Sequence, residues 1–205
     1  SRFDVMRPFL MRLSRYKKFY NGFLKRFYIC DRFNKSEIAC GLDFEKLLRT
    51  DGHWTNENCF AQSREQILED LSGLLSVKTR NRKLKSLASK SSTVGLHVRR
   101  KDYSNLLPVS YYKEAIKVVS TIMKVETIIC VSDDPNWCLE NIYDNTFENF
   151  EVSEGQSSFE DFVLLASCKG IIAANSTFSW WAAWLGESSG AVVIRPLNSP
   201  PTSLA

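Results

Sequence analysis

Four residues with chemical capacity fall inside six positions of the run TVGLHVRRKDY (residues 93–103): His97, Arg99, Arg100 and Asp102. The run opens as a short apolar stretch, long enough for a buried strand. Alternation along such a strand puts His97 and Arg99 on one face and Val98 and Arg100 on the other. Two adjacent guanidiniums at a strand's C-terminal end are costly unless an anion meets them. The planar guanidinium fork suits phosphate oxygens, which points to a pyrophosphate clamp. The competing account is an arginine pair satisfied by local carboxylates, Asp102 among them. This stretch alone leaves both open.

Two further polar clusters follow apolar runs. Ser132, Asp133 and Asp134 come after TIICV, and Asn175, Ser176, Thr177 and Ser179 come after GIIAA. If the runs are strands of one parallel sheet, all three clusters share the rim where α/β proteins bind ligands. The third cluster opens an expected helix, whose free N–H groups and dipole favour an anion. Plain N-capping by Asn175 or Ser176 would account for the same residues. Asp133 could accept from a purine N–H edge or a ribose hydroxyl, or could cap a helix, a task that suits Asp134 better. Trp180, Trp181 and Trp184 stand at helical spacing and read as core more readily than as a sugar platform. The sequence holds no G-x-G-x-x-G and no Walker motif, and no Asp-x-Asp. A sugar-nucleotide enzyme built on it would therefore use arginine in place of a divalent metal.

The elements that must position these clusters alternate. TVGLHV reads as a first strand, followed by a helix capped at Ser110 with Tyr112, Ile116, Val119 and Met123 on one stripe. TIICVS is a second strand, and Asp134-Pro135 opens the next helix with Asp at N-cap and Pro at N1. A third strand is expected within residues 147–152, then a helix capped at Ser158. GIIAAN is a fourth strand, STFSWWAAWLG a helix closed by Gly186, and AVVIR a fifth strand. Strands separated by helices of this length imply an α/β fold with a parallel, Rossmann-like sheet and flanking helices. Upstream, Ser63 and Gln66 form a capping-box pattern ahead of Ile67, Leu68, Leu71, Leu74 and Leu75. The charged, then serine-rich stretch KTRNRKLKSLASKSS places the start of the second unit near Ser89.

Composition narrows the class. The chain has 205 residues, 44% of them hydrophobic, with 27 basic against 23 acidic residues and a net charge of +4. This is an ordinary globular composition, too weakly basic to argue for nucleic acid. The opening stretch RPFLMRLSRYKKFYNGFLKRFY interleaves basic and aromatic residues and suits either a packed helix with snorkelling stems or a peripheral contact with an anionic membrane. No apolar run reaches the ~18 residues of a spanning helix, and no stretch reads as a signal peptide. The six cysteines, Cys30, Cys40, Cys59, Cys130, Cys138 and Cys168, show no metal-ligand or disulfide-framework spacing. Free thiols and a cytoplasmic location, peripheral to the inner face of a membrane, are expected, or the Golgi lumen if the source is eukaryotic. The absence of an initiator Met and the polar, proline-rich tail suggest a piece of a longer protein.

The motifs HVRRKDY, SYYKEAI, VSDDPNWC and DFVLLASCKGIIAANSTFSWWAAWLG, in that order, resemble those of the α-1,2-fucosyltransferases of glycosyltransferase family 11. GHWTNENCF resembles the family's upstream G-Y-W-Q-type segment, so the resemblance covers about residues 51–195. N-S-T-F-S-W-W is very specific, while H-V-R-R-x-D is shared with other fucosyltransferase families. The resemblance implies the donor half of a two-domain GT-B glycosyltransferase. Residues 1–88 would be a remnant of the acceptor-side domain, an incomplete helical part, and residues 89–205 the donor-binding domain. It implies GDP-L-fucose as donor, a terminal galactoside as acceptor, inversion, and neither cofactor nor metal. His97 and Asp133 would face the nucleoside. Arg99 and Arg100 would hold the pyrophosphate, helped by Asn175, Ser176 and Thr177. Arg99 would stabilise charge on the leaving GDP. Asp102, beside the clamp, would serve as base or orient Arg100. The family's G-G-L-G-N-Q segment has no counterpart here, Lys101 stands where Gly is usual, and Gly170 stands where His is common. A non-catalytic GDP-sugar-binding fragment and a fucosyltransferase acting on protein hydroxyls are the alternatives.

Overall fold

The computed structural model describes Thr55 and residues 61–75, 80–101, 104–154 and 157–197. The chain divides into two compact units, Ser1–Ser72 with Pro200–Ala205, and Gly73–Ser199. The basic aromatic stretch at the start, together with Cys30, Cys40 and Cys59, lies outside the described residues, as does Asp102. A 3-10 turn at Ala61–Ser63 leads into helix α1, Arg64–Leu75. Ile67 and Leu71, one turn apart, are buried, and Gln66 donates to the Glu69 and Asp70 carboxylates on the exposed side.

The unit from Gly73 takes in the end of α1 and then helix α2, Arg82–Ala88, capped by Asn81, whose side chain accepts the Leu84 N–H at 3.0 Å. Leu84, Leu87 and Ala88 are buried, and the Thr93 hydroxyl donates to the Leu87 carbonyl. Helix α2 is thus packed into this unit, upstream of the boundary that composition suggested near Ser89.

Five strands follow: β1 (Thr93–Val98), β2 (Thr127–Ser132), β3 (Asn149–Val152), β4 (Gly170–Ile172) and β5 (Val192–Ile194). They form one all-parallel sheet in the order β3-β2-β1-β4-β5. Every residue of β1 is buried, as a central parallel strand covered on both faces requires. This is the Rossmann-like architecture that the strand–helix alternation implied.

Helices α3 (Val109–Ile122) and α4 (Pro135–Asn141) cover one face. There Val94, Leu96, Val98, Ile128, Cys130 and Ile172 meet Tyr112, Ala115, Ile116, Val119, Cys138 and Ile142. Helices α5 (Ser158–Ala166) and α6 (Thr177–Glu187) lie on the other face with α2. Gly95 of β1 is a close-approach position: a Cβ there would sit 2.8 Å from Leu165 Cδ1 and 3.0 Å from Cys168 Sγ. Cys130, Cys138 and Cys168 are free and buried.

Several element ends differ from the sequence expectation. Helix α3 starts at Val109 with Pro108 at N-cap and no side-chain cap bond, so Ser110 sits inside the first turn. The SSFED stretch offers two serines three residues ahead of an acid, and Ser157 takes the cap because Glu160 completes the box. Glu160 Oε2 accepts the Ser157 N–H at 3.0 Å, and the Ser157 hydroxyl accepts the Glu160 N–H at 3.3 Å. Ser158 is the first helical residue. Asp134 and Pro135 stand at N-cap and N1 as expected. Helix α6 runs through Gly186 to Glu187. Gly186 is there for packing, since a Cβ would run into Ile171 Cδ1 and lie 3.1 Å from the Ala166 carbonyl. Gly190, at φ 81°, takes the left-handed turn instead. Strand β4 is shorter than GIIAAN, ending at Ile172, with the Ala173 N–H still bonded to the Ile194 carbonyl.

Candidate functional site

The strand order reverses between β1 and β4, which lie side by side although two strands separate them in sequence. The crevice beyond the carboxyl ends of such a pair is where open α/β sheets bind ligands. His97 and Arg99 leave β1 on one side of it; Asn175, Ser176 and helix α6 follow β4 on the other.

His97 shares a face of β1 with Gly95, turned towards α5 and α6. Its ring lies 4.9 Å from that of Phe178 in the first turn of α6, and Phe178 meets Phe162 of α5 edge-on at 5.8 Å. Only 5% of His97 is exposed. Burial, with the Arg99 charge as a second cause, pushes its pKa down to about 3. The imidazole is therefore neutral near pH 7, a hydrogen-bonding group and not a cation. Its Nδ1 is buried without a hydrogen-bond partner among the described residues, an expensive condition.

Beside it, the pairing of Val98 with Ser132 brings Asp133 abreast of Arg99. Arg99 Nη1 lies 3.1 Å from Asp133 Oδ2, and the two side chains are 25% and 18% exposed. The same carboxylate accepts the Arg100 N–H at 2.8 Å and the Lys101 N–H at 3.0 Å. Arg100 points to the opposite face, as strand alternation demands. Its guanidinium lies 4.0 Å above the Trp137 ring, and Nη1 makes a long 3.5 Å contact with the Leu107 carbonyl. Trp137 meets the fully buried Tyr112 edge-on. The two arginines therefore have different surroundings: Arg99 faces the crevice side, and Arg100 ties the loop after β1 to helix α4. Asp134 is occupied as the cap of α4, accepting the Trp137 N–H at 3.4 Å, while the Ser132 hydroxyl accepts the Asp134 N–H.

Across the crevice Ser176 caps α6, its hydroxyl accepting the Phe178 N–H at 3.3 Å. Thr177 is the first helical residue. Ser179 is fully buried and donates to the Ala174 and Ser176 carbonyls, so it shapes the turn. Asn175 Nδ2 donates to the Asn105 carbonyl at 2.7 Å, and Tyr111 donates to the Ala173 carbonyl at 2.6 Å. Both bonds tie the β1–α3 segment to the end of β4. Trp180 and Trp184 are core residues, and Trp181 is half-buried between them in edge-to-face contacts.

A further titratable group stands on α5. Asp161, in the first turn of α5, accepts the Ser153 hydroxyl at 2.5 Å, and burial pushes its carboxyl up to about 6. It is not needed for the cap, which Ser157 and Glu160 complete. The available signal was S-x-x-E one residue ahead of S-x-x-D, which leaves a second carboxylate without a capping task. Among the described residues no group of three or more His, Cys, Asp or Glu could hold a metal ion. No described helix is long and apolar enough to cross a membrane.

The family model for glycosyl transferase family 11 matches residues 17–203. The chain belongs to that family. The chain is similar to the O-antigen biosynthesis glycosyltransferase WbnK of Escherichia coli, 33% identical over 55% of this chain and 40% of that protein. An alpha-1,2-colitosyltransferase of Escherichia coli is 28% identical over 71% of this chain and 53% of its own length. Galactoside alpha-(1,2)-fucosyltransferase 1 of Saimiri sciureus is 33% identical over 54% of this chain and 33% of its own. The chain thus spans about half, or less, of the length of these curated relatives.

Proposed function

We propose that this chain is the nucleotide-sugar half of an inverting α-1,2-fucosyltransferase, which moves L-fucose from GDP-β-L-fucose to the 2-hydroxyl of a terminal galactoside. The observation that carries the reading is Arg99 at the reversal point of the sheet, flanked by His97 and by the N-terminus of α6. In the reaction the galactose 2-oxygen bonds to fucose C1, the C1–O bond to GDP breaks, and the hydroxyl proton passes to a base. Negative charge grows on the β-phosphate. Arg99 and the α6 N-terminus are fixed positive groups suited to meet it, the arrangement that electrostatic preorganisation requires. His97 is too weakly basic to take the proton. It serves as a hydrogen-bonding partner for the nucleotide. Asp102 remains the proposed base or orienting carboxylate.

Support for the donor and acceptor comes from the family and from relatives named as fucosyl- and colitosyltransferases. A second reading keeps the site and exchanges the sugar for colitose, favoured by the colitosyltransferase matching more of this chain than the other two relatives do.

The test is calorimetric titration of GDP into the chain. Transfer assays follow, with fucose and colitose donors against a β-galactoside, in the full-length protein. GDP binding that falls roughly ten- to a hundredfold in Arg99→Ala, as loss of a charge-assisted contact of ~1.5–3 kcal/mol would produce, is expected. Unchanged affinity in a well-folded Arg99→Ala variant would end the reading.

A further inference from the structure

Three consecutive basic residues hang on one carboxylate. Asp133 takes the Arg100 N–H on Oδ1 and the Lys101 N–H on Oδ2, and Oδ2 also faces Arg99 Nη1. The register Val98↔Ser132 builds this in, because it sets the residue after β2 level with the residue after β1. A carboxylate has about four lone-pair sites, and three contacts already fall on this one. Little acceptor capacity is left for the N–H edge of a base or for ribose hydroxyls, the task the sequence suggested for Asp133. Arg99, by contrast, engages Asp133 through one nitrogen of a five-donor fork. The remainder of that fork is what an anion in the crevice would meet.

We propose that Asp133 is a positioning residue for the donor pyrophosphate, acting through Arg99 and the backbone of the loop after β1, and not a reader of the nucleoside. This rests on the donor-site reading above. Asp133 does two things in one place. It fixes the path of residues 99–101 by taking two successive N–H groups. It also holds the Arg99 guanidinium in one orientation and offsets its charge while the crevice is empty. A long side chain ordered beforehand loses less entropy when the ligand arrives. The arrangement accounts for a carboxylate placed next to an anion site: its repulsion of phosphate is outweighed by the orientation it imposes on the arginine.

The test uses inorganic pyrophosphate and guanosine as separate calorimetric probes, with GDP as reference. They are titrated into the wild type, Asp133→Asn, Arg99→Ala and the double variant. Asp133→Asn should weaken pyrophosphate binding by roughly two- to tenfold, the cost of ordering one long side chain on binding. That effect should shrink below about twofold in the Arg99→Ala background, since positioning through a residue disappears with it. Guanosine binding should not change. A loop-support role alone would weaken both probes together and additively with Arg99→Ala, which overturns the proposal. So would weakened guanosine binding, which makes Asp133 a nucleoside reader, and so would tightened or unchanged pyrophosphate binding. If Asp133→Asn fails to fold, Asp133→Glu keeps the charge, moves it by one methylene, and must show the same selective loss. A wild-type chain that binds neither GDP nor pyrophosphate overturns the donor-site reading and this proposal together. Loss of guanosine binding in Asp133→Asn with Arg99-dependent GDP binding intact overturns this proposal alone.

Discussion

The two segments that border the crevice are built by different forces. The one after β1 is held by polar ties: Asp133 grips two N–H groups, Arg100 lies over Trp137, and Asn175 reaches the Asn105 carbonyl. The one after β4 is held by packing. Helix α6 buries Trp180, Ala182, Ala183 and Trp184, and Gly186 lets it approach Ile171. Polar ties fix the direction of a charged loop with modest net free energy per bond, whereas burial of large apolar groups supplies most of the stability. The β1 side is where binding can be lost with little damage to the fold. The β4 side is where the fold is lost first.

Four predictions bear on that contrast. Trp184, with no exposure, is the largest: Trp184→Ala should cost ~3–5 kcal/mol of stability, measured by urea unfolding. GDP affinity of the folded fraction should stay near wild type. A loss below ~1 kcal/mol would mean that packing does not dominate the β4 side. Next comes Arg99→Ala, with its ten- to hundredfold loss of GDP affinity and a thermal midpoint close to wild type. Arg99→Lys should recover part of the affinity, since an ammonium cannot make the bidentate contact.

Arg100→Ala should do the reverse on a smaller scale. Loss of the contact with Trp137 should lower stability by about 0.5–2 kcal/mol, and GDP affinity should fall far less than in Arg99→Ala. An equal fall in both variants would show that Arg100 swings to the phosphate.

The last prediction concerns pH, where two contributions partly cancel. His97 has a pKa pushed from 6.5 to about 3, so between these values the unfolded chain holds more protons and stability rises with pH. Asp161 is raised from 3.8 to about 6, so over that window the folded chain holds more protons and stability falls with pH. The two contributions oppose each other between roughly pH 4 and 6. Removing one should expose the other. Relative to wild type, His97→Asn should make stability fall from about pH 4.5 to about pH 6, within the shared window, and Asp161→Asn should make it rise. Urea midpoints at the two pH values read the sign directly, and parallel behaviour of both variants would contradict the opposed pair.

Much of this was legible in the chain itself because the signals are local. The apolar runs TVGLHV and TIICVS, the Asp134-Pro135 helix start and the Tyr112–Ile116–Val119 stripe are each set by neighbours within a turn or two, and they specify a parallel α/β sheet. Alternation also put His97 and Arg99 on one face and Arg100 on the other. Choices between adjacent candidates needed the fold. Ser157 prevailed over Ser158 through a side chain three residues on, and Gly186 serves a helix-to-sheet contact that no helix-end rule describes.

The tertiary structure alone decided what the polar residues touch. Sequence spacing could not reveal that Asp133 would meet Arg99, since strand register sets that contact across the sheet. Nor could it reveal that Arg100 would find Trp137, or that Asp161 would be desolvated against Ser153, because burial and pairing belong to packed elements. The sequence determined which groups reach the rim. Register and packing determined which of them are already engaged there, and so which remain to meet a ligand.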